Sequence, residues 1–374
     1  MTFEATALNE LIEALQDAGY QVAGPTVRDQ AIVLAEINSA DDLPWGWGVT
    51  LDAGSYRVRR RADRAVFAHS AGPQSWKPFL HPARVPLWSA GRDGTMEPAP
   101  DEPPRYAFLG VRPCDLRAIQ IQDRVLMRGE HADTAYARRR SGAFIVVVNC
   151  VEPGATCFCV SMGAGPGAEP GQDKGYDIAL TEVVDDQAEG KGHRFLAEAG
   201  SDRGTEILAQ VTHEPADEPT VHAARDAVTA AADHMGRTME ADGLHELMGA
   251  TRESPRWDEV ADRCLTCGNC TMVCPTCFCT TVEDVTDLTG EHAERWQTWA
   301  SCFDVDFSYL HGGSVRTSPK SRYRQWLTHK LGTWHDQFGS SGCVGCGRCI
   351  VWCPVGIDLT EEVAALRDDL GETP

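Results

Sequence analysis

The sequence predicts an α+β protein in two main parts. An N-terminal α/β domain contains a βαβ unit, and a mainly helical, cysteine-loaded domain follows it. Three observations predict this. Two apolar runs of strand length, 106–111 and 143–148, flank a stretch at 115–127 with helical spacing. The fifteen cysteines are clumped: four lie from Cys114 to Cys159, seven from Cys264 to Cys302, and four from Cys343 to Cys353. The chain has 374 residues, of which 42% are apolar, so two or three packed domains are affordable.

Leu8, Leu11, Ile12 and Leu15 recur at helical spacing, and Gly19 follows as a stop. Runs at 32–37 and 56–58 read as strands, and 66–82 as a structured loop rich in turn formers and aromatics. In the βαβ unit the helix at 115–127 offers Leu116, Ile119 and Leu126 to the core. Parallel strands open on one sheet edge, where α/β proteins usually bind ligands. Cys114 follows the first strand and Cys150 the second, so the two should meet there. Residues 161–175 form a Gly/Pro loop, 185–220 read as acidic and loosely ordered, and 223–248 as an Ala-rich helical connector. Ser254-Pro255 starts a helix that runs into Cys264. The expected domains are 1–185, an acidic linker and connector at 186–250, and 251–374.

The formal net charge of −21 argues against nucleic acid and against anionic membrane surfaces. No apolar run is long enough to span a bilayer, and the N-terminus lacks a secretory pattern. A cytoplasmic location is expected, and there fifteen cysteines read as metal ligands or redox groups rather than disulfides.

Cys264, Cys267, Cys270 and Cys274-Pro275 follow C-x2-C-x2-C-x3-C-P, and Cys343, Cys346, Cys349 and Cys353-Pro354 repeat it. This is the bacterial ferredoxin run for [4Fe–4S] clusters, in which the fourth cysteine ligates the other cluster. Structural zinc uses paired CxxC knuckles instead. The crossed assignment gives one cube to Cys264, Cys267, Cys270 and Cys353, and another to Cys343, Cys346, Cys349 and Cys274. Gly268, Gly345 and Gly347 are expected to let the backbone approach the cubes. The C-terminal part therefore reads as a dicluster ferredoxin-like domain.

Cys114, Cys150, Cys157 and Cys159 make four more thiols near one strand edge. A third [4Fe–4S] cluster is one reading, and separate small core cysteines plus a turn is the other. TCFC recurs at 156–159 and 276–279. Cys277, Cys279 and Cys302 are one thiol short of a usual cube. We read them as structural, or as groups that tune the neighbouring cube; a site completed by a non-cysteine ligand is the alternative. Lys320, Arg322, Arg324 and Lys330 form a basic stretch, read either as a solvated helix face or as cations that favour reduced clusters or dock an acidic partner. The sequence holds no P-loop, no HExxH and no Rossmann-spaced glycines.

The segments FLGVRPCDLRAI, NCVEPGATCFCVSMGAGP, CGNCTMVCPTCFC, DVTDLTG, HGGSVRTSPKSRYRQW and CVGCGRCIVWCPVGID resemble the iron–sulfur β subunit of soluble, NADP-linked nickel–iron hydrogenases, also called sulfhydrogenases. The A subunit of anaerobic sulfite reductase is similar. The resemblance spans about residues 66–365, and 185–250 carry no matching motif. It implies a non-catalytic electron-transfer subunit. Its expected partners are a flavin subunit that binds NAD(P)H and the small and large subunits of a nickel–iron hydrogenase. The alternative is the electron-input A subunit of anaerobic sulfite reductase. The resemblance also supports a third cluster at Cys114, Cys150, Cys157 and Cys159.

Overall fold

The computed structural model describes residues 1–70, 72–99, 102–171, 174–184 and 192–371. In chain order its strands of three or more residues are β1 (Thr2–Glu4), β2 (Gln21–Arg28), β3 (Ala31–Glu36), β4 (Trp47–Asp52), β5 (Ser55–Arg60), β6 (Arg84–Gly91) and β7 (Met96–Pro98). They continue with β8 (Tyr106–Val111), β9 (Phe144–Val148), β10 (Ile178–Val184), β11 (His193–Ala199), β12 (Thr280–Thr286) and β13 (His292–Trp299).

Seven strands form the main sheet in the order β1-β11-β10-β9-β8-β2-β3. Its centre is parallel: β2 pairs with β8, β8 with β9, and β9 with β10. The Pro113–Leu126 helix and a second at Thr134–Gly142 lie between β8 and β9, so the βαβ unit is present. Both faces of the sheet are covered. Leu109, Phe144, Val146 and Val148 enter one core, with Leu8, Leu11, Ile12 and Leu15 of the Leu8–Asp17 helix. Phe108, Val111, Ile145 and Val147 enter the other, with Leu116 and Ile119. Burial on both faces explains why the central strands are apolar runs without alternation.

The stretch expected to be an acidic, loosely ordered linker and connector is corrected in its first half. β11 lies there, antiparallel to both β1 and β10, with Phe195, Leu196 and Ala197 buried. Three consecutive apolar side chains between His193-Arg194 and Glu198 carry too weak a period to stand out as a strand. Helices at Asp202–Leu208 and Glu218–Asp233 follow, each capped by a side-chain oxygen from Ser201 or Asp217. The expected boundary at 185–186 lies outside the described residues.

A second, four-stranded antiparallel sheet has the order β12-β13-β6-β7. β13 belongs to the segment between the two ferredoxin-type runs, and it pairs with β6 from the N-terminal half. The cysteine-rich part thus carries strands as well as helices and is clasped onto the α/β part. Its core gathers Trp257, Tyr323, Trp326, Leu327, Leu331, Ile350 and Leu366. No helix among the described residues is long and apolar enough to cross a membrane.

Candidate iron–sulfur site

Three groups of thiols lie in a row. At the outer one, the Arg256–Arg263 helix ends at Cys264, and Gly268 in the left-handed region (φ 75°) starts the short Asn269–Met272 helix. This turn brings Cys264, Cys267 and Cys270 around a cavity completed by Cys353 from the second run. Phe303, Tyr323 and Trp326 wall the same cavity, while Cys267 reaches solvent. Backbone N–H groups already point at sulfur: Thr266 donates to Cys264 Sγ at 3.4 Å and Ile357 to Cys353 Sγ at 3.3 Å.

The middle group is Cys343, Cys346, Cys349 and Cys274. Burial pushes the Cys349 thiol well up, and Cys343, Cys346 and Cys274 add to it. Cys343 is pushed up to about 12, chiefly by burial. Lys330 is buried here. Its Nζ donates to Cys274 Sγ at 3.3 Å, to Thr276 Oγ1 at 3.0 Å and to the Gly342 carbonyl at 3.2 Å. Burial works against its charge, but nearby Cys274, Cys277 and Cys343 outweigh burial and keep the ammonium protonated. Cys274 is held well below the usual thiol range, first by a hydrogen bond with Cys277 and further by Lys330. Cys353 thus lines the cavity of the first run, and Cys274 lies beside Cys343 and Cys349 of the second.

The inner group lies at the edge of the main sheet. Cys114, just past β8, and Cys150, just past β9, line one cavity with Cys157 and Cys159. Burial pushes all four thiols up, Cys159 to about 12. Thiols held neutral in this way release protons when a metal binds, and the metal supplies the charge that stabilises the thiolates. Two polar groups on the same cavity wall have no partner: Arg112 Nη1 and Ser70 Oγ are buried without a hydrogen bond. The rest of the Arg112 guanidinium is anchored, since Nη2 donates to the carbonyls of Phe67 and His69, the latter at 2.7 Å. Buried donors without acceptors are costly unless a ligand accepts from them. Four thiols plus two free donors therefore fit an anionic iron–sulfur cluster.

The three groups touch. Cys349 of the middle group also lines the outer cavity, and Cys346 also lines the inner one. Phe158 N–H donates to the Gly345 carbonyl at 2.8 Å, which ties the inner loop to the middle run. Two of the glycines expected to let the backbone approach the cubes also meet this loop, and Gly345 N–H donates to Cys343 Sγ at 3.4 Å. A Cβ at Gly345 would lie 2.5 Å from the Phe158 carbonyl oxygen, and one at Gly347 would lie 2.3 Å from that of Thr156. Both glycines admit the neighbouring loop's backbone. Among the described residues, no group of three or more His, Cys, Asp or Glu side chains closes on a single metal ion. Thiolates that share a cube stand further apart, because iron and sulfide lie between them.

Several site residues carry no local sequence signal. Arg348 and Asp115 form a buried ion pair at 2.7 and 3.1 Å on the inner cavity wall. The basic stretch is only partly a solvated face. Arg322 and Lys330 are buried, and Arg322 donates to the carbonyls of Phe303, Arg316 and Thr317. Lys320 pairs with Asp258 and Arg324 with Glu253.

Thiols gathered in fours behind two ferredoxin-type runs define an iron–sulfur protein of the dicluster class, and residues 263–357 match the 4Fe-4S dicluster domain family. The chain is 31% identical over 366 residues to sulfhydrogenase 2 subunit beta of Pyrococcus furiosus, an alignment covering 96% of each chain. It belongs to the sulfhydrogenase β-subunit family. No solved structure matches it.

Proposed function

We propose that this chain is the electron relay of a nickel–iron hydrogenase complex. It would hold two [4Fe–4S] clusters on Cys264, Cys267, Cys270, Cys353 and on Cys343, Cys346, Cys349, Cys274. A third would sit on Cys114, Cys150, Cys157 and Cys159. Such clusters exchange single electrons at potentials set by burial, charge and hydrogen bonds to sulfur. The observation that carries this reading is the row of three thiol groups, in which Cys346 and Cys349 each border a second cavity. The row leads from exposed Cys267 to the edge of the main sheet.

The chain's own residues do the supporting work. Thr266, Gly345 and Ile357 donate backbone N–H groups to ligand sulfurs. Phe303, Tyr323 and Trp326 exclude water from the outer site. Arg112, Lys330 and the Arg348–Asp115 pair bring charge and donors to the inner two. In this reading a flavin subunit handling NAD(P)H and the cluster-bearing small subunit of the hydrogenase are the two electron partners. Support comes from the family membership and from the name of the relative, a sulfhydrogenase subunit.

The test is a count of iron and acid-labile sulfide in the anaerobically purified full chain. Cys114→Ala should remove about four irons and leave the ferredoxin-type spectra in place. No loss of iron would confine the clusters to the two runs. Co-purification decides the partner: a siroheme chain in place of nickel–iron subunits would assign it to a sulfite reductase.

A further inference from the structure

The four-stranded sheet has two edges, and they differ. β7 is three residues long and ends in Pro98. A short edge strand with a proline offers little to pair with. β12 is seven residues long, TTVEDVT, with no proline and no lysine, and every residue of it is exposed. Its pairing with β13 has no bulge. The register tells which backbone groups it leaves open. Asp287 N–H donates to the His292 carbonyl at 3.0 Å, and Ala300 N–H to the Cys279 carbonyl at 2.9 Å, one bond at each end of the ribbon. Bonded pairs recur at every second residue of an antiparallel ladder. Thr281, Glu283 and Val285 therefore bond to β13, whereas Thr280, Val282, Asp284 and Thr286 turn their N–H and C=O groups outward. Val282 and Val285 add exposed apolar side chains, one to each face, and Leu288 in the turn beyond is exposed too.

Charge selects what can pair there. β12 carries two carboxylates, Glu283 and Asp284, and no cation. Asp284 is matched within the sheet by Arg295, at 2.6 and 2.7 Å. Glu283 meets only the Thr298 hydroxyl among the described residues, at 3.2 Å. A second copy pairing antiparallel along the full strand would set Glu283 opposite Glu283, and like charges directly opposite are destabilising. Each copy would also bring a net charge of −21. A strand with Lys or Arg opposite Glu283 meets neither penalty. Glu283 turns its backbone groups inward, so on the outer side it belongs to a close pair without hydrogen bonds, with Cα atoms about 4.5 Å apart. A cationic side chain there reaches the carboxylate.

We propose that β12 is a docking edge for a partner subunit, which adds an extended basic strand to the four-stranded sheet. The added strand bonds to the outward groups of Thr280, Val282, Asp284 and Thr286 and sets a Lys or Arg against Glu283. Main-chain bonds supply the attachment, and the Glu283 pair supplies the register. The proposal rests on the reading of this chain as one subunit of a complex, and it uses no cluster ligand.

The test is hydrogen–deuterium exchange on the tagged full chain as it purifies from its own cells, with the subunits that hold it, against the same chain produced alone and reconstituted. The amides of Thr280, Val282, Asp284 and Thr286 should exchange on the order of tenfold more slowly in the complex. Val282→Pro removes one outward N–H and leaves the β12–β13 bonds in place, so it should strip the partner from the complex. Glu283→Lys should weaken the partner's hold by about fivefold. Both variants should keep the iron content and cluster midpoints of the unchanged chain. Exchange at β12 as fast in the purified form as in the chain alone overturns the proposal, and so does full retention of the partner by both variants. Protection that appears in the chain alone and rises with its concentration also overturns it, because the occupant is then a second copy. Should Val282→Pro unfold the ribbon, seen as fast exchange along β13, Glu283→Lys and the unchanged chain decide. Protected β12 in a complex with a siroheme chain would support the docking edge and overturn the hydrogenase reading.

Discussion

Lys330 shows what a single side chain does here. It is buried, and its ammonium group lies 3.3 Å from the sulfur of Cys274. A cation beside a cluster ligand favours the more negative, reduced state, so it raises the reduction potential. A unit charge about 4 Å away at an effective dielectric of about 20 is worth about 4 kcal/mol. Even after partial screening, Lys330→Met should lower the midpoint of the middle cluster by roughly 100 mV. Lys330→Arg should restore most of it. An EPR-monitored redox titration of the full chain reads this directly, and an unmoved midpoint would falsify the role. The charge of Lys330 was legible in the sequence, but its place was not. The eight ferredoxin-type cysteines could be read because their spacing is local, and one turn of chain wraps one cluster. Arg112 and the Arg348–Asp115 pair act across long sequence separations. Nothing near them in sequence tells a buried cation from a solvated one.

Among the elements, the loop carrying Cys157 and Cys159 matters most, because it is pressed against the second ferredoxin-type run. Gly345 sits in the left-handed region at φ 66°, and a Cβ there would lie 2.5 Å from the Phe158 carbonyl oxygen and 2.6 Å from the backbone N and Cα of Cys159. Left-handed backbone alone costs a non-glycine residue about 1–2 kcal/mol, and the clash adds to it. Gly345→Ala should therefore push the inner loop off the middle run. We expect lower thermal stability and loss of the iron that depends on Cys114, with the outer cluster's spectrum retained. Full retention of that iron in Gly345→Ala would show that the contact is dispensable. The βαβ unit was legible because both strands are buried on both faces and the helix between them is long. The pairing of β6 with β13 was not, because the partners lie some two hundred residues apart and β12 is exposed along its whole length. Exposure leaves no apolar alternation to read.

Taken whole, the molecule joins an α/β sheet to a cysteine-rich part, and residues of both line the inner site. A buried polar link between the two parts is Arg348, whose guanidinium spans Asp115 at 2.7 and 3.1 Å and also donates to the Gln74 carbonyl at 3.2 Å. Both partners of the ion pair are only 4% exposed. Breaking such a pair by removing one charge leaves the other buried and uncompensated, at a cost of about 3–5 kcal/mol. Asp115→Asn should therefore lower the denaturation midpoint markedly. The double variant Asp115→Leu/Arg348→Met should recover much of the loss, because two apolar groups leave no orphaned charge. Denaturation followed by cluster absorbance and by far-UV circular dichroism separates two outcomes. If the pair only stabilises the junction, the double variant binds its full iron. If the guanidinium also serves the inner and middle sites, the double variant folds but loses the Cys114-dependent iron or shifts its midpoint. Equal stability of Asp115→Asn and the unchanged chain would mean that the β6–β13 clasp, apolar packing and the remaining polar links, such as Phe158 N–H to the Gly345 carbonyl, hold the two halves together without this pair.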